Sequence, residues 1–177
     1  SLMYYYQDNF LLPLSHDEVV HCKGTILQKM YGDLEEQFRQ ARAFYLYMYA
    51  HPGKKLNFMG NELGHIREWD ENRALDWELL ESEAHQKFHL FRKALNEVYL
   101  DTRALWERDF EETGFRWLNC HEEEKNIYLF VRKGKKETVL AVFNFSDTAQ
   151  TQFEVSFELL KEFMNGIPKK LELLIAS

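Results

Sequence analysis

A short apolar run that stops abruptly in a polar cluster restricts the fold of this chain more than any other feature. Leu11–Leu14 is followed at residues 15–18 by a serine, a histidine and two acids. A second apolar run, residues 55–59, is followed by Gly-Asn-Glu at residues 60–62. Parallel strands of an α/β protein end at one edge of the sheet, where polar side chains can meet a ligand. We therefore expect two buried strands whose polar ends share one rim.

The segment between the two runs predicts a helix over residues 34–50. Asp33 can accept a hydrogen bond from a free amide of the first turn, and Glu36 stands at the capping-box position. Pro52 and Gly53 predict the end. Apolar residues at steps of three and four predict one buried face: Leu34, Phe38, Ala41, Tyr45 and Met48. Strand, helix and strand in this order form a βαβ unit with parallel strands.

Two further segments complete the first part of the chain. Residues 64–80 predict a long irregular loop that contains two tryptophans, and loops of this length in compact domains are commonly functional. Arg67 and Glu68 in this loop are expected to brace either each other or the loop. Residues 83–99 predict a second helix with an apolar stripe: Phe88, Phe91, Leu95 and Val98.

Beyond about residue 101 the pattern changes to short β-rich runs. They cover residues 115–120, 126–132, 138–145 and 151–157, with a hairpin loop at residues 133–136. We predict an antiparallel β domain, one half of a sandwich, and divide the chain into residues 1–105 and 106–177. The pattern of residues 159–177 leaves their structure open.

Composition narrows the partners and the compartment. The chain has 29 Asp and Glu against 22 Lys and Arg, a net charge of -7, which favours neither a nucleic-acid partner nor an anionic membrane. No apolar run approaches the ~20 residues of a membrane span, and the start does not resemble a signal peptide. We expect a cytoplasmic protein with no metal and no cofactor. Cys22 and Cys120 are expected to be reduced, and His16 and His21 lack metal-site spacing.

Several motifs in order resemble one family. Residues 12–19, 52–62, 67–69 and 75–77 are similar to the carboxyl-terminal part of the glycogen branching enzymes of the α-amylase clan. The likeness continues through residues 109–110 and 114–117 and reaches about residue 145. It implies the last two βα units of a (β/α)₈ barrel, followed by the family's carboxyl-terminal β domain. Because a complete barrel takes ~250 residues, the resemblance implies a fragment.

The resemblance also implies roles for the first polar cluster. Asp17 matches the carboxylate that stabilises the transition state, and His16 would donate a hydrogen bond to the sugar. Ser15 and Glu18 are the branching-enzyme form of the motif and are expected on the substrate side. No segment resembles the family's nucleophile or its general acid. The alternatives are a rim histidine bonded to a loop carbonyl and an aspartate that caps the strand.

Two aromatic positions in the long loop stay open at this point. Trp69 could stack on a sugar ring or anchor the loop, and it is a better stacking candidate than Trp77. His65 stands where the family usually has a glutamine.

The leading hypothesis is a parent enzyme that transfers α-1,4-glucan segments to a 6-hydroxyl. Its partner would be an α-glucan, and the isolated chain would be inactive. The alternatives are a non-catalytic glucan-binding or structural piece and a part of a hydrolytic relative. Strands cut from a barrel would leave open edges, so self-association or partial disorder of the first hundred residues is expected.

Overall fold

The computed structural model describes residues 11–119, 126–146, 148 and 171–176, the last segment as backbone only. The chain divides into two compact units, each of which is described by itself. The first, Leu11–Met48 with Lys54–Leu100, is called the rim unit. The second, called the sheet unit, contains Tyr49–Gly53 and the described part of Asp101–Ser177. The domain division at residue 105 stays a prediction.

Strand, helix and strand follow one another in the rim unit as expected. The main elements are β1 (Leu11–Leu14), α1 (Leu34–Ala50), β2 (Lys54–Asn57) and α2 (Glu83–Asp101). Strands β1 and β2 pair in parallel, with Leu11 opposite Lys54 and Leu14 opposite Asn57. The predicted parallel pair is therefore confirmed.

Local capping fixes the start of α1. The Asp33 carboxylate accepts from the Glu36 amide, and the Glu36 carboxylate accepts from the Asp33 amide, each at 2.9 Å. Four of the five residues predicted for the buried face are buried, whereas Leu34 is 45% exposed. Leu34 lies in the opening turn, ahead of Phe38, whose ring packs on His85 and Phe88 of α2.

The buried face of α2 differs in part from the predicted stripe. Phe88 and Leu95 are buried as predicted, but Val98 is exposed, and His85 and Arg92 occupy the face instead. The Arg92 guanidinium lies over the Tyr45 ring of α1 at 3.8 Å. A cation over an aromatic face keeps a favourable partner when it leaves water. An arginine can therefore take a place that the apolar pattern assigned to its neighbours.

The two strands of the rim unit are less buried than the apolar runs suggested. Leu14 is buried, but Leu11 is 57% and Leu56 41% exposed. Within the described residues each strand has the other as its single neighbour in the sheet. The Leu14 carbonyl accepts from the Phe58 amide at 2.8 Å, and backbone groups alternate sides along a strand. Pro13 therefore directs its peptide nitrogen away from β2.

The sheet unit contains one four-stranded sheet among the described residues. Its strands are β3 (Phe115–Asn119), β4 (Ile127–Lys133), β5 (Thr138–Asn144) and β6 (Leu171–Ala176), in that order across the sheet. The pairs β3–β4 and β4–β5 are antiparallel, as predicted. The pair β5–β6 is parallel, so the wholly antiparallel domain was wrong. Residues 145–170 leave ample length for the crossover that a parallel pair needs. The run at 151–157 lies outside the described residues.

A buried ion pair sits in the core of the sheet unit. Arg132 of β4 and Asp109 meet at 2.6 Å, and both side chains have 0% exposure. The other guanidinium arm donates to the carbonyl of Ala50, which belongs to the same unit, at 2.8 Å. Around this pair the sheet buries apolar side chains almost completely: Leu129, Phe130, Val131, Val139, Ala141 and Phe143. None of the helices in the described residues is long and apolar enough to span a membrane. The cytoplasmic location stays a prediction.

Candidate active-site rim

A capped turn follows β1 and carries the first polar cluster. The Glu18 Oε2 atom accepts from the Ser15 amide at 2.6 Å and from the Ser15 hydroxyl at 2.9 Å. The Ser15 hydroxyl in turn accepts from the Asp17 amide at 3.3 Å. These bonds form a capping box around the 3₁₀ turn His16–Glu18. Ser15 and Glu18 therefore fix the backbone that presents the two residues between them.

Those two residues are the ones that the turn exposes. The side chains of His16 and Asp17 are 55% and 66% exposed, and Nε2 lies 3.4 Å from Oδ1. The His16 ring lies against Phe58, at 5.9 Å between centroids, and meets Trp69 edge-on at 6.5 Å. Among the described residues no loop carbonyl accepts from the His16 ring. An exposed carboxylate beside an imidazole can bind a pair of hydroxyl groups.

Trp69 anchors the long loop of the rim unit. Its ring packs on Phe58 at 5.1 Å, and its backbone amide donates to the Val19 carbonyl at 3.0 Å. The loop of residues 64–80 is thereby tied both to the end of β2 and to the capped turn after β1. The ring stays partly exposed beside His16, so the two alternatives for Trp69 are compatible.

Glu68 and Lys29 hold the segment that follows the capped turn. The Glu68 carboxylate accepts from the Gly24 amide at 2.6 Å and from the Cys22 amide at 3.1 Å. These bonds, that of Gly24 foremost, lower the pKa of Glu68. The Lys29 ammonium donates to the carbonyls of Glu18, Lys23 and Gly24 at 2.6, 2.7 and 3.1 Å, and burial lowers its pKa. Sequence reasoning missed Lys29, because nothing in a pattern shows which carbonyls a lysine will reach.

The Arg67 side chain forms its ion pair with Asp76 and not with the carboxylate of the neighbouring Glu68. Its guanidinium bonds both carboxylate oxygens of Asp76, at 3.1 and 2.8 Å. This contact lowers the pKa of Asp76. Of the two predicted alternatives for Arg67 and Glu68, bracing of the loop is thus confirmed.

His65 is buried, and both of its ring nitrogens serve the loop. Nε2 accepts from the Asp76 amide at 3.0 Å, so the proton is on Nδ1, which donates to the Arg67 carbonyl at 2.9 Å. The side chain is only 6% exposed. Both nitrogens are therefore used within the loop.

A small cavity lies between α1, α2 and the turn that follows β2, and its size excludes a sugar. It has a volume of about 10 Å³ and is lined by Ile26, Ala41, Asn61 and Phe88, among others. The Asn61 Nδ2 group is buried without a hydrogen-bond partner among the described residues. A space of this size holds one water molecule. In the part of the chain that the structure describes, no three His, Cys, Asp or Glu side chains are grouped to hold a metal ion.

Comparison with known proteins agrees with the motifs. Residues 117–166 match the C-terminal all-beta domain of alpha amylase. The chain is 48% identical over 171 residues to the 1,4-alpha-glucan branching enzyme GlgB of Aquifex aeolicus (strain VF5). The aligned region covers 96% of this chain and 26% of that protein. GlgB of Halothermothrix orenii is 41% identical over 174 residues, 97% of this chain and 28% of the relative.

A solved structure supports the fold alone. A cyclomaltodextrinase superposes on 76% of this chain and 20% of its own, with a TM-score of 0.53 and 18% identity. The chain spans about a quarter of the length of the curated relatives that it matches. The resemblance read from the motifs is therefore confirmed: over nearly its whole length this chain matches the carboxyl-terminal part of the 1,4-alpha-glucan branching enzymes of the α-amylase clan.

Proposed function

We propose that this chain supplies one catalytic carboxylate to a longer polypeptide that transfers α-1,4-glucan segments to 6-hydroxyl groups and so makes α-1,6 branches. The observation that carries the proposal is the match, over 96% of the chain, to proteins named 1,4-alpha-glucan branching enzyme. The exposed Asp17 and His16 on a capped turn agree with it.

In this proposal Asp17 acts on the charge of the transition state. A retaining glycosyl transfer passes through a flattened sugar that carries positive charge. A fixed carboxylate hydrogen-bonded to ring hydroxyls binds more tightly as that charge develops. His16 donates to an adjacent sugar oxygen, and Trp69 supports the same subsite from its partly exposed face.

Ser15 and Glu18 would define the substrate side of the turn. Both bonds to Ser15 use Oε2 of Glu18, which leaves Oε1 able to accept from a glucan hydroxyl. The nucleophile and the general acid would come from other segments of the longer polypeptide, since no segment of this sequence resembles those two regions of the family.

The same proposal covers the architecture of the rim unit. β1 with α1 and β2 with α2 would be the last two βα units of a (β/α)₈ barrel, whose active site lies at the carboxyl ends of its strands. The parallel pairing of β1 with β2 and the polar turns after both strands support it.

Branching by the complete polypeptide tests the activity. Amylose is incubated with the protein, and new α-1,6 linkages are counted after debranching. We expect branches to form, and we expect Asp17→Asn to lower kcat by about 10²–10³-fold, the usual cost of losing one group that stabilises transition-state charge. Asp101→Asn, an exposed change at the end of α2, is the matched control and should keep full activity. New reducing ends without branches would instead identify a hydrolytic relative.

A second candidate is a non-catalytic glucan-binding or structural piece. It is favoured by the absence of any segment that resembles the nucleophile or acid regions, because a retaining mechanism needs both groups. An iodine-staining assay on this polypeptide alone discriminates. We expect the absorbance of the amylose complex to stay constant, and a steady shift with time would contradict an inactive chain.

The isolated chain is also proposed to self-associate. Among the described residues β1 and β2 form a two-stranded sheet with open edges. Leu11 and Leu56 on this sheet are 57% and 41% exposed, and apolar side chains beside an open sheet edge favour pairing with another copy. Light scattering should show a mass above that of the monomer, rising with concentration. A monodisperse monomer at all concentrations would contradict this.

A further inference from the structure

We propose that Glu68 is a positioning residue for Asp17, acting together with Lys29 through the backbone of residues 17–24. The inference rests on the proposed role of Asp17 and extends it to residues outside the proposed sugar contacts. Neither Glu68 nor Lys29 touches the Asp17 side chain among the described contacts; both act on the chain that carries it.

The two charged side chains bind different backbone groups of this segment. The Glu68 carboxylate accepts hydrogen bonds from the amides of Cys22 and Gly24. The Lys29 ammonium donates hydrogen bonds to the carbonyls of Glu18, Lys23 and Gly24. Gly24 is held by both, with its amide on the carboxylate and its carbonyl on the ammonium. Charge-assisted hydrogen bonds of this kind are stronger than neutral ones, so they hold the backbone of this segment in one conformation.

The hydrogen bonds of this segment include the backbone of Asp17, the residue that carries the proposed catalytic carboxylate. The Lys23 ammonium donates to the carbonyl of Asp17 itself at 2.7 Å, and Lys29 holds the next carbonyl, that of Glu18. The amide of Trp69, next in sequence to Glu68, binds the Val19 carbonyl. Three consecutive peptide groups after Asp17 are thus tied, to Lys23, to Lys29 and to the Trp69 amide. We call Glu68, Lys29 and the backbone of residues 17–24 that they hold the clamp.

The clamp also holds an unfavourable backbone conformation. His21 and Cys22 have φ angles of 59° and 61°, in the left-handed region that costs energy for residues with a Cβ. The Cys22 amide, in the peptide bond that joins these two residues, donates one of the two hydrogen bonds that the Glu68 carboxylate accepts. Without the carboxylate the segment can relax to ordinary backbone angles, and the carbonyls that Lys23 and Lys29 hold would shift with it.

The test uses Glu68→Ala in the complete polypeptide, with Glu71→Ala as the matched control. Glu71 is an exposed acid in the same loop with no hydrogen bond among the described residues. We expect Glu68→Ala to lower kcat for branching by about a hundredfold, the effect of a misplacement of about 1 Å at a reacting centre, with little change in KM. Added formate, which can occupy the vacated carboxylate site, should restore part of the lost kcat in Glu68→Ala and in neither the wild type nor Glu71→Ala.

A second measurement is independent of activity. Trypsin cleavage at the Lys23–Gly24 bond, followed by mass spectrometry, reports opening of the clamped segment. We expect cleavage about tenfold faster in Glu68→Ala than in Glu71→Ala, at equal melting temperature, because only the local opening equilibrium changes.

The outcomes separate this inference from the proposed function. An unchanged cleavage rate, or an unchanged kcat without formate rescue in a protein that branches amylose, would overturn the role of Glu68. A wild-type protein that makes no branches would refute the proposed function, and with it any catalytic role for Glu68, whatever the cleavage rates show about the clamp.

Discussion

Charged side chains serve the two units of this chain in opposite ways. In the rim unit Glu68 and Lys29 are bonded to backbone groups of a surface segment. In the sheet unit Arg132 and Asp109 are bonded to each other with no exposure to solvent. Water can replace the first kind of contact but not the second. We therefore expect the loss of Glu68 or Lys29 to affect geometry and activity more than stability, and changes to the buried pair to affect stability.

The largest expected effect is on the buried pair. Asp109→Ala leaves Arg132 as an uncompensated charge in the core and should lower the free energy of unfolding of the sheet unit by about 3–5 kcal/mol. Urea denaturation measures it. Glu111→Gln is the control, because the Arg108–Glu111 pair is 3.5 Å apart with a half-exposed carboxylate, and its loss should cost about 1 kcal/mol or less. Equal losses in the two variants would contradict the argument that burial makes the Arg132–Asp109 pair costly to break.

Packing in the rim unit gives the next largest effect. Gly64 has a φ of 65°, and an added Cβ would lie 2.7 Å from Cε1 of Phe38. Since the Phe38 ring is buried against α2, Gly64→Ala should destabilise by about 2–3 kcal/mol through combined backbone strain and overpacking. In Gly24→Ala, with φ 71°, the new Cβ meets only the flexible Gln28 side chain. That control should lose about 1 kcal/mol from strain alone. Thermal unfolding compares the two, and a larger loss in the control would contradict the packing argument.

A smaller effect is expected at the start of α1. Asp33→Ala removes one half of the capping box and should cost about 1 kcal/mol. Glu35→Ala, an exposed change in the same turn, should cost less because Glu35 makes no capping bond among the described residues. Helix content and unfolding midpoints measure both. Equal losses would mean that the bonds seen at Asp33 contribute little.

The pH dependence of the rim unit is the finest comparison. Arg67 lowers the pKa of Asp76 in the folded chain, below the value of about 3.9 of an unfolded aspartate. A depressed pKa stabilises the fold above the unfolded value, and this contribution is lost as the pH falls through the folded value. Unfolding measured between about pH 5 and pH 2 should therefore be less acid-sensitive in Asp76→Asn than in the wild type. An identical slope for the two proteins would show that the Arg67 contact contributes nothing to stability.

Local features of this chain could be predicted from its sequence, and features that need a distant partner could not. The start of α1 at Asp33 was found because a capping box lies within four residues. The strand at Leu11–Leu14 and its polar turn could be predicted because the apolar run and the polar cluster that follows it are consecutive in the sequence. Arg92 was missed on the buried face of α2, because its place depends on the Tyr45 ring, 47 positions earlier in the sequence.

The candidate site shows the same limit. The motif around Asp17 was visible because its residues are consecutive. The clamp was not, since Glu68 and Cys22 lie 46 positions apart and meet only when the loop folds back. The parallel pairing of β6 with β5 was also missed, because β6 lies within residues 159–177, whose pattern predicted no strand.

The proline in β1 has a consequence for how copies of this chain could assemble. Leu11 and Pro13 direct their backbone groups to the side away from β2, and a proline has no amide hydrogen to offer there. A strand of another copy that paired with that side of β1 would lack one backbone hydrogen-bond donor, in a strand of only four residues. The far side of β2 has no such gap, so strand pairing between copies should begin there. Because the Phe58 amide points to β1, alternation turns the Leu56 amide to β1 and the Lys55 amide to the far side, so a proline introduced at Lys55 should hinder this pairing.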